Sequence, residues 1–120
     1  MEIETAAKRL AELGHKTRLE IFRYLVRGGH QGVPVGEIQA ALGVPGSTLS
    51  HHLNRLMSVG LVAQRREGRT LYCTSQYREL DALLAFLKEE CCVNGLSANE
   101  WPEGETAGAK ASAKARATES

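Results

Sequence analysis

Apolar residues recur every three or four positions along most of the chain, which is the spacing of amphipathic helices. The first helix is predicted over residues 3 to 13 and ends before Gly14. The second begins near Thr17, which suits a helix cap, and ends at the glycine pair Gly28 and Gly29. Its apolar face consists of Leu19, Phe22, Leu25 and Val26.

A third and a fourth helix are predicted on either side of a short turn that contains glycine. Pro34 suits the first turn of the third helix, which ends at Gly43. The fourth extends from about residue 46 to residue 59, before Gly60. Its apolar face consists of Leu49, Leu53, Leu56 and Met57. Two helices joined in this way predict a helix-turn-helix.

Two short strands and a last helix follow. Residues 61–66 and 69–74 are rich in Leu, Val and Tyr, and Glu67 and Gly68 between them suit a hairpin turn. The last helix is predicted from about residue 76 to 92, with Cys91 continuing its apolar stripe of Leu80, Leu83, Leu84 and Leu87. The predicted fold is therefore mainly α with a small β-hairpin wing: a winged helix-turn-helix of four helices, a hairpin and a fifth helix.

Composition divides the chain after Asn94. Residues 1–94 carry all the predicted elements and are expected to form one folded domain. Residues 95–120 consist largely of Gly, Ser, Ala, Glu and Lys, which predicts a flexible C-terminal tail. The sequence opens without a secretion signal, and no segment is apolar for the length of a membrane span, so we expect a soluble cytoplasmic protein. Three cysteines, two of them adjacent, do not fit a disulfide scaffold.

The polar face of the fourth helix has a composition that suits contact with duplex DNA. If the leucines anchor the helix, the opposite face presents hydrogen-bonding side chains: Ser47, Thr48, Ser50, His51, Asn54 and Arg55. Such side chains reach base edges or phosphates when the start of a helix enters a major groove. The alternative is an ordinary solvated face. His52 lies nearer the buried side and is expected to pack there with a hydrogen bond.

The hairpin favours DNA binding over that alternative. The formal net charge is only +1, but Arg65, Arg66 and Arg69 flank the predicted turn, where they can contact the backbone or enter the minor groove. One such domain makes few contacts, so we expect a homodimer on a palindromic double-stranded operator. The first and fifth helices are the predicted dimer surface, because both are amphipathic and lie outside the helix-turn-helix.

Four short segments resemble the ArsR/SmtB family of metal-sensing repressors. They are Lys16-Thr17-Arg18-Leu19-Glu20-Ile21 in the second helix, Ser47-Thr48-Leu49-Ser50-His51-His52-Leu53 in the fourth, and Gly60-Leu61-Val62 with Arg66-Glu67-Gly68-Arg69 in the hairpin. The resemblance extends from about Leu13 to Cys92. It implies a winged-helix dimer, not an enzyme, that represses transcription without inducer and leaves its operator when the inducer binds.

Members of this family place their sensing residues at several locations. Here the start of the third helix has no cysteine pair, and the last helix offers Asp81 but no histidine for a zinc-type site. The adjacent pair Cys91 and Cys92 resembles the site of arsenite-responsive relatives, and thiolates are soft ligands that suit trivalent arsenic or antimony. The third ligand is open between Cys73 of the other subunit, a methyl group of an organoarsenical and a small external ligand. Otherwise Cys73 is expected to pack on its strand.

Two other functions compete with metalloid sensing. A thiol or persulfide redox repressor of the same fold would use the same cysteine pair, but adjacent residues have Cα atoms only about 3.8 Å apart, which strains a disulfide. A small thiol oxidoreductase is disfavoured because the sequence has neither a CxxC motif nor a phosphate-binding loop. A closed zinc site is disfavoured as well, because it needs four ligands. The remaining alternative to a sensing site is that Cys91 and Cys92 are two inert buried residues.

Overall fold

The first half of the fold is helical. A computed structural model describes residues 1–91 and 94–95, so Cys92 and the predicted tail beyond Gly95 lie outside the described residues. The first helices are α1 (Ile3–Leu13) and α2 (Lys16–Gly28), followed by a 3-10 turn at Gly29–Gln31. The bounds of α1 match the prediction. The predicted cap of α2 was wrong: His15 occupies that position, and its Nδ1 accepts a hydrogen bond from the backbone N–H of Thr17 at 3.2 Å.

The helix-turn-helix is confirmed. It consists of α3 (Val35–Leu42) and α4 (Gly46–Ser58). Gly43 ends α3 in the left-handed region, with φ 65° and ψ 33°, and its N–H donates to the carbonyl of Gln39 at 2.8 Å. The chain can therefore turn sharply between the two helices.

The fold also contains a three-stranded antiparallel sheet, one strand more than predicted. It contains β1 (Val33–Pro34), β2 (Val62–Glu67) and β3 (Thr70–Ser75) in the order β1-β3-β2. Pro34 lies in β1 and not inside α3, as a residue without an N–H can do on an edge strand. So short a strand has no periodicity of its own, and only its pairing with β3 defines it.

The turn of the β2–β3 hairpin, which we call the wing, differs by one residue from the prediction. Glu67 pairs with Thr70, so Gly68 and Arg69 form the turn in place of Glu67 and Gly68. Gly68 has φ 64°, a region that glycine enters without steric cost. Arg69 therefore lies at the tip of the wing.

The last helix is shorter than predicted. α5 spans Tyr77–Lys88, and Cys91 lies in a following turn closed by its N–H donating to the carbonyl of Lys88 at 2.8 Å. The prediction that Cys91 continues the apolar stripe of α5 was wrong. Glu89 and Glu90 are poor residues for the negative end of a helix dipole, which explains the early end. The chain divides into two units at Lys88, and Cys91 belongs to the second.

The core of the first unit, residues 1–87, lies between the helix-turn-helix, α2 and the sheet. Its fully buried side chains include Ile21, Leu25, Ile38, Leu49, Leu53, Leu56, Leu61 and Cys73. The predicted leucine anchor of α4 is confirmed. By contrast, α1 and α5 leave large apolar side chains exposed: Ile3, Leu10, Tyr77, Leu84 and Leu87. Among the described residues no helix has the length and apolar character needed to cross a membrane.

Candidate nucleic-acid interface

The helix α4 presents a polar face to solvent. Leu49, Leu53 and Leu56 are buried on one side. The six residues predicted to contact DNA are all exposed on the other side: Ser47, Thr48, Ser50, His51, Asn54 and Arg55. Within the described residues no side chain caps the start of α4 after Pro45, so its first backbone N–H groups are available to an anion such as a phosphate.

The three arginines of the wing are exposed but differ in their surroundings. The Nε of Arg65 lies 2.6 Å from the Oε2 of Glu67, and its guanidinium carbon lies 4.7 Å from the ring centroid of Tyr72. Arg65 is therefore held along the strands by a carboxylate and an aromatic face. Neither Arg66 nor Arg69 has an ion-pair partner in residues 1–91. These two side chains present the uncompensated positive charge of the wing.

Arg55 is bound within the subunit. Its Nε and Nη2 donate to the two carboxylate oxygens of Glu12 at 3.1 and 2.7 Å, a bidentate contact between α4 and α1. The Nε of Arg18 also lies 3.2 Å from Glu12 Oε1 and donates to the Glu12 carbonyl at 2.8 Å. The hydrogen bond from Arg55 lowers the pKa of Glu12 against the opposing effect of burial, so the carboxylate stays ionised.

Sequence reasoning missed Glu12 and Arg18. Arg18 is part of the segment that resembles the family, but nothing in the local pattern of either residue indicates its partner. Glu12 and Arg55 are 43 positions apart in the chain, and only the packing of α1 on α4 brings them together. The one local signal is a glutamate next to the apolar stripe of α1, and that is common in surface helices.

His52 is buried beside this group, which confirms that it packs in the interior. Its Nδ1 lies 3.3 Å from Nη1 of Arg18, and because arginine only donates, Nδ1 is assigned as the acceptor of a neutral ring. The ring centroid lies 4.7 Å from that of His15 and 5.6 Å from that of His51. Burial lowers the pKa of His52, and the positive charges of its neighbours lower it further. His52 thus supports α4 from behind and leaves His51 on the exposed face.

The cysteines lie in different surroundings. Cys73 on β3 has no exposed surface, and Nε2 of Gln64 donates to its Sγ at 3.4 Å. Burial raises the pKa of the Cys73 thiol, so it packs as a neutral side chain. Cys91 is exposed, and Cys92 lies outside the described residues. Within the described part of the chain, no group of three or more His, Cys, Asp or Glu side chains is arranged to hold a metal ion.

A helix-turn-helix with an exposed polar second helix, followed by a basic hairpin, defines a winged helix-turn-helix DNA-binding protein. The family model described as "Helix-turn-helix domain" matches residues 13–65. The chain is also similar to the homodimeric winged helix-turn-helix DNA-binding domain of a possible ArsR-family transcriptional regulator from Mycobacterium bovis. That likeness has a TM-score of 0.58 and 31% identity, and covers 73% of this chain and 82% of the other.

Two relatives are similar in sequence. One is the "Putative arsenical resistance operon repressor ArsR2" of Halobacterium salinarum, 38% identical over 63 residues, which are 52% of each protein. The other is the nodulation protein NolR of Rhizobium meliloti, 34% identical over 86 residues, or 72% of this chain and 66% of NolR. The matched region thus spans about half of the first relative and about two thirds of the second. The chain belongs to the ArsR/SmtB-type family of winged helix transcriptional regulators, which are not enzymes.

Proposed function

We propose that the chain is a homodimeric repressor that binds a palindromic operator through α4 and the wing and is released by a trivalent arsenical or antimonial bound to Cys91 and Cys92. The observation that carries the DNA part is the exposed polar face of α4, with Arg66 and Arg69 exposed on the neighbouring wing and without an ion-pair partner in residues 1–91. The polar side chains suit base edges and the arginines suit phosphates.

The dimer part of the proposal is supported by the exposed apolar side chains of α1 and α5. Ile3 is 70% exposed and Leu87 is 54% exposed, and Leu10 and Leu84 lie exposed on the same two helices. A second copy that covered these side chains would remove them from water, which is worth about 25 cal/mol per Å² of apolar surface. The solved relative from Mycobacterium bovis is itself homodimeric.

The inducer part is supported by the chemistry of the cysteine pair and by one relative. Two neighbouring thiols supply two soft ligands, and the exposure of Cys91 leaves it accessible to a small thiophilic species. The Halobacterium relative is named for arsenical resistance. Binding would release DNA if it changed the spacing of the two α4 helices in the dimer.

The third ligand is best supplied from outside the protein. Cys73 lies in the core of its own subunit with a neutral, hydrogen-bonded thiol, so a second subunit would have to open the sheet to reach it. A methyl group already bonded to arsenic, or a small external thiol, completes three-coordinate geometry without that cost. A methylated trivalent arsenical is therefore our preferred inducer.

The test begins with the operator. A duplex selected from random sequences for retention by the pure protein would be labelled, and its complex titrated with arsenite, antimonite and trivalent methylarsenic. The C91S/C92S double variant is expected to bind the operator as the wild type does and to resist release. The matched control, Cys73→Ser, is expected to keep the response to every ligand that releases the wild type.

Each outcome separates the parts of the proposal. If C91S/C92S is released as readily as the wild type, the cysteine pair is not the sensing site. If peroxide or polysulfide releases the wild type while no metalloid does, the protein is a redox repressor of the same fold. If no duplex is retained even at low salt, α4 and the wing do not form an operator interface.

A further inference from the structure

Glu12 is a buried carboxylate that is not part of the proposed DNA interface. It lies on α1, its side chain is only 10% exposed, and arginines from two other helices hold it. Burying the ionised groups of Glu12 and Arg18 is costly unless each is paired and hydrogen-bonded, and here both are, with the half-exposed Arg55 as a second partner of Glu12. Such an arrangement fixes geometry, because the pairs are satisfied in only one relative placement of the helices.

The helix α4 is attached to α1 at two points, one turn apart. Arg55 contacts Glu12, and the carbonyl of Val59, just after α4, accepts a hydrogen bond from Nε of Arg9 at 2.8 Å. Arg9 and Glu12 lie three residues apart on α1 and share one of its faces, as Arg55 and Val59 do four residues apart at the end of α4. Two polar contacts separated in this way fix the rotation of α4 as well as its distance from α1.

The same contacts engage Arg55 in a way that competes with DNA. Two of its donor nitrogens are already directed at Glu12, and the ionised carboxylate, which Arg55 shares with Arg18, offsets part of its charge. A phosphate would have to displace or share a bidentate partner at 2.7 Å. In residues 1–91, by contrast, Arg66 and Arg69 of the wing have no ion-pair partner and are exposed.

We propose that Glu12 is a positioning residue for DNA binding: it holds Arg55 and thereby sets the rotation of α4, so that Arg55 acts on affinity through this anchor and not as a phosphate contact. The proposal rests on DNA binding by α4. It also gives α1, which belongs to the proposed dimer surface, a direct polar connection to the helix that enters the groove.

The proposal predicts an effect of opposite sign from simple electrostatics. Removing the negative charge of Glu12 from a protein that binds a polyanion would by itself strengthen binding to every sequence. If Glu12 positions α4, Glu12→Gln instead weakens operator binding, by about tenfold, which is within the range of coupling between contacting residues. The matched control is Glu4→Gln on the exposed part of α1, which is expected to leave binding unchanged or slightly tighter.

The salt dependence of binding separates an anchor from a phosphate contact. Binding weakens as salt rises, and each phosphate contact that is lost reduces the magnitude of the slope of log K against log salt by about 0.9. We expect Arg55→Gln to weaken operator binding about as much as E12Q does with an unchanged slope, and the E12Q/R55Q double variant to be no weaker than the worse single variant. Arg66→Gln, the control for a true phosphate contact, is expected to lower the slope.

Several results would overturn the proposal. They are an E12Q protein that binds as tightly as the wild type, an R55Q protein whose slope falls like that of R66Q, or an R55Q protein with full affinity. If E12Q does not fold, as judged by circular dichroism, R55Q decides alone, because the Arg55 side chain is 53% exposed and its removal leaves Glu12 paired with Arg18. A wild-type protein that retains no duplex would reject the proposed operator interface, which is a different failure.

Discussion

The wing offers a quantitative test, because its three arginines are alike in sequence and different in structure. Arg66 and Arg69 lack ion-pair partners within residues 1–91, whereas Arg65 contacts Glu67 at 2.6 Å and lies 4.7 Å from the centroid of Tyr72. The change we consider is replacement of each arginine by glutamine, which removes the charge and keeps a hydrogen-bonding side chain. We expect R66Q and R69Q to weaken binding to all duplexes, and R65Q to do so much less.

The size of the effect follows from counterion release. A wing arginine that neutralises one phosphate contributes about 0.9 to the slope of log K against log salt. When the salt concentration rises fourfold, the factor by which affinity falls should therefore be about 3.5 times smaller for R66Q or R69Q than for the wild type. For the double variant it should be about 12 times smaller. The carboxylate of Glu67 lies 2.6 Å from Arg65 and offsets the positive charge that Arg65 presents to a phosphate, so we expect its contribution to the slope to be smaller.

The assay is fluorescence anisotropy with a random-sequence duplex at a series of salt concentrations, followed by the selected operator. The random duplex isolates the backbone contacts, since it offers no preferred bases. If R65Q lowered the slope as much as R66Q, the reasoning from ion pairing within the wing would be refuted. If none of the three changed the slope, the wing would not contact phosphates.

Other predictions follow from single sites. His51→Ala should reduce the ratio of operator to random-duplex affinity about 5- to 100-fold while leaving the salt slope nearly unchanged, which the same titrations measure. Leu84→Glu, on the exposed apolar face of α5, should shift the protein towards monomer in sedimentation equilibrium, and an unchanged mass would exclude this face from the dimer. Gly60→Ala should destabilise the protein by about 1–2 kcal/mol in urea unfolding, because φ is 77° there, whereas the control Gly36→Ala, in a helix with open space around it, should be neutral or stabilising. The pKa of His52 is lowered by burial, so the unfolded chain binds the proton more readily; stability should fall as pH drops below 6.5, and His52→Asn should flatten that part of the profile.

The helices and the wing could be predicted because their signals are local. Leu49, Leu53 and Leu56 recur at helical spacing and are the buried face of α4, so the side chains between them had to face outwards. Glycines marked the ends of the first four helices. The resemblance to the family, carried by short segments within these elements, agrees with the comparison to known regulators.

Errors arose where a residue's position depends on partners distant in the chain. The strand β1 has only two residues and exists through pairing with β3, and the wing turn moved by one residue because the cross-strand register fixed Glu67 opposite Thr70. The predicted extension of α5 to Cys91 followed an apolar pattern, but the helix ends at Lys88. Periodicity describes which face a residue would occupy and says less about where an element stops.

The sequence by itself determined the class of fold, the face of α4 that can meet DNA and the adjacent cysteine pair, because each depends on residues close together in the chain. The tertiary structure alone decided that Arg55 is held by Glu12, that Cys73 has no exposed surface and that Arg65 differs from its neighbours in the wing. The physical reason is that charge compensation and burial depend on what lies nearby in space, and most of those neighbours come from other elements of the fold.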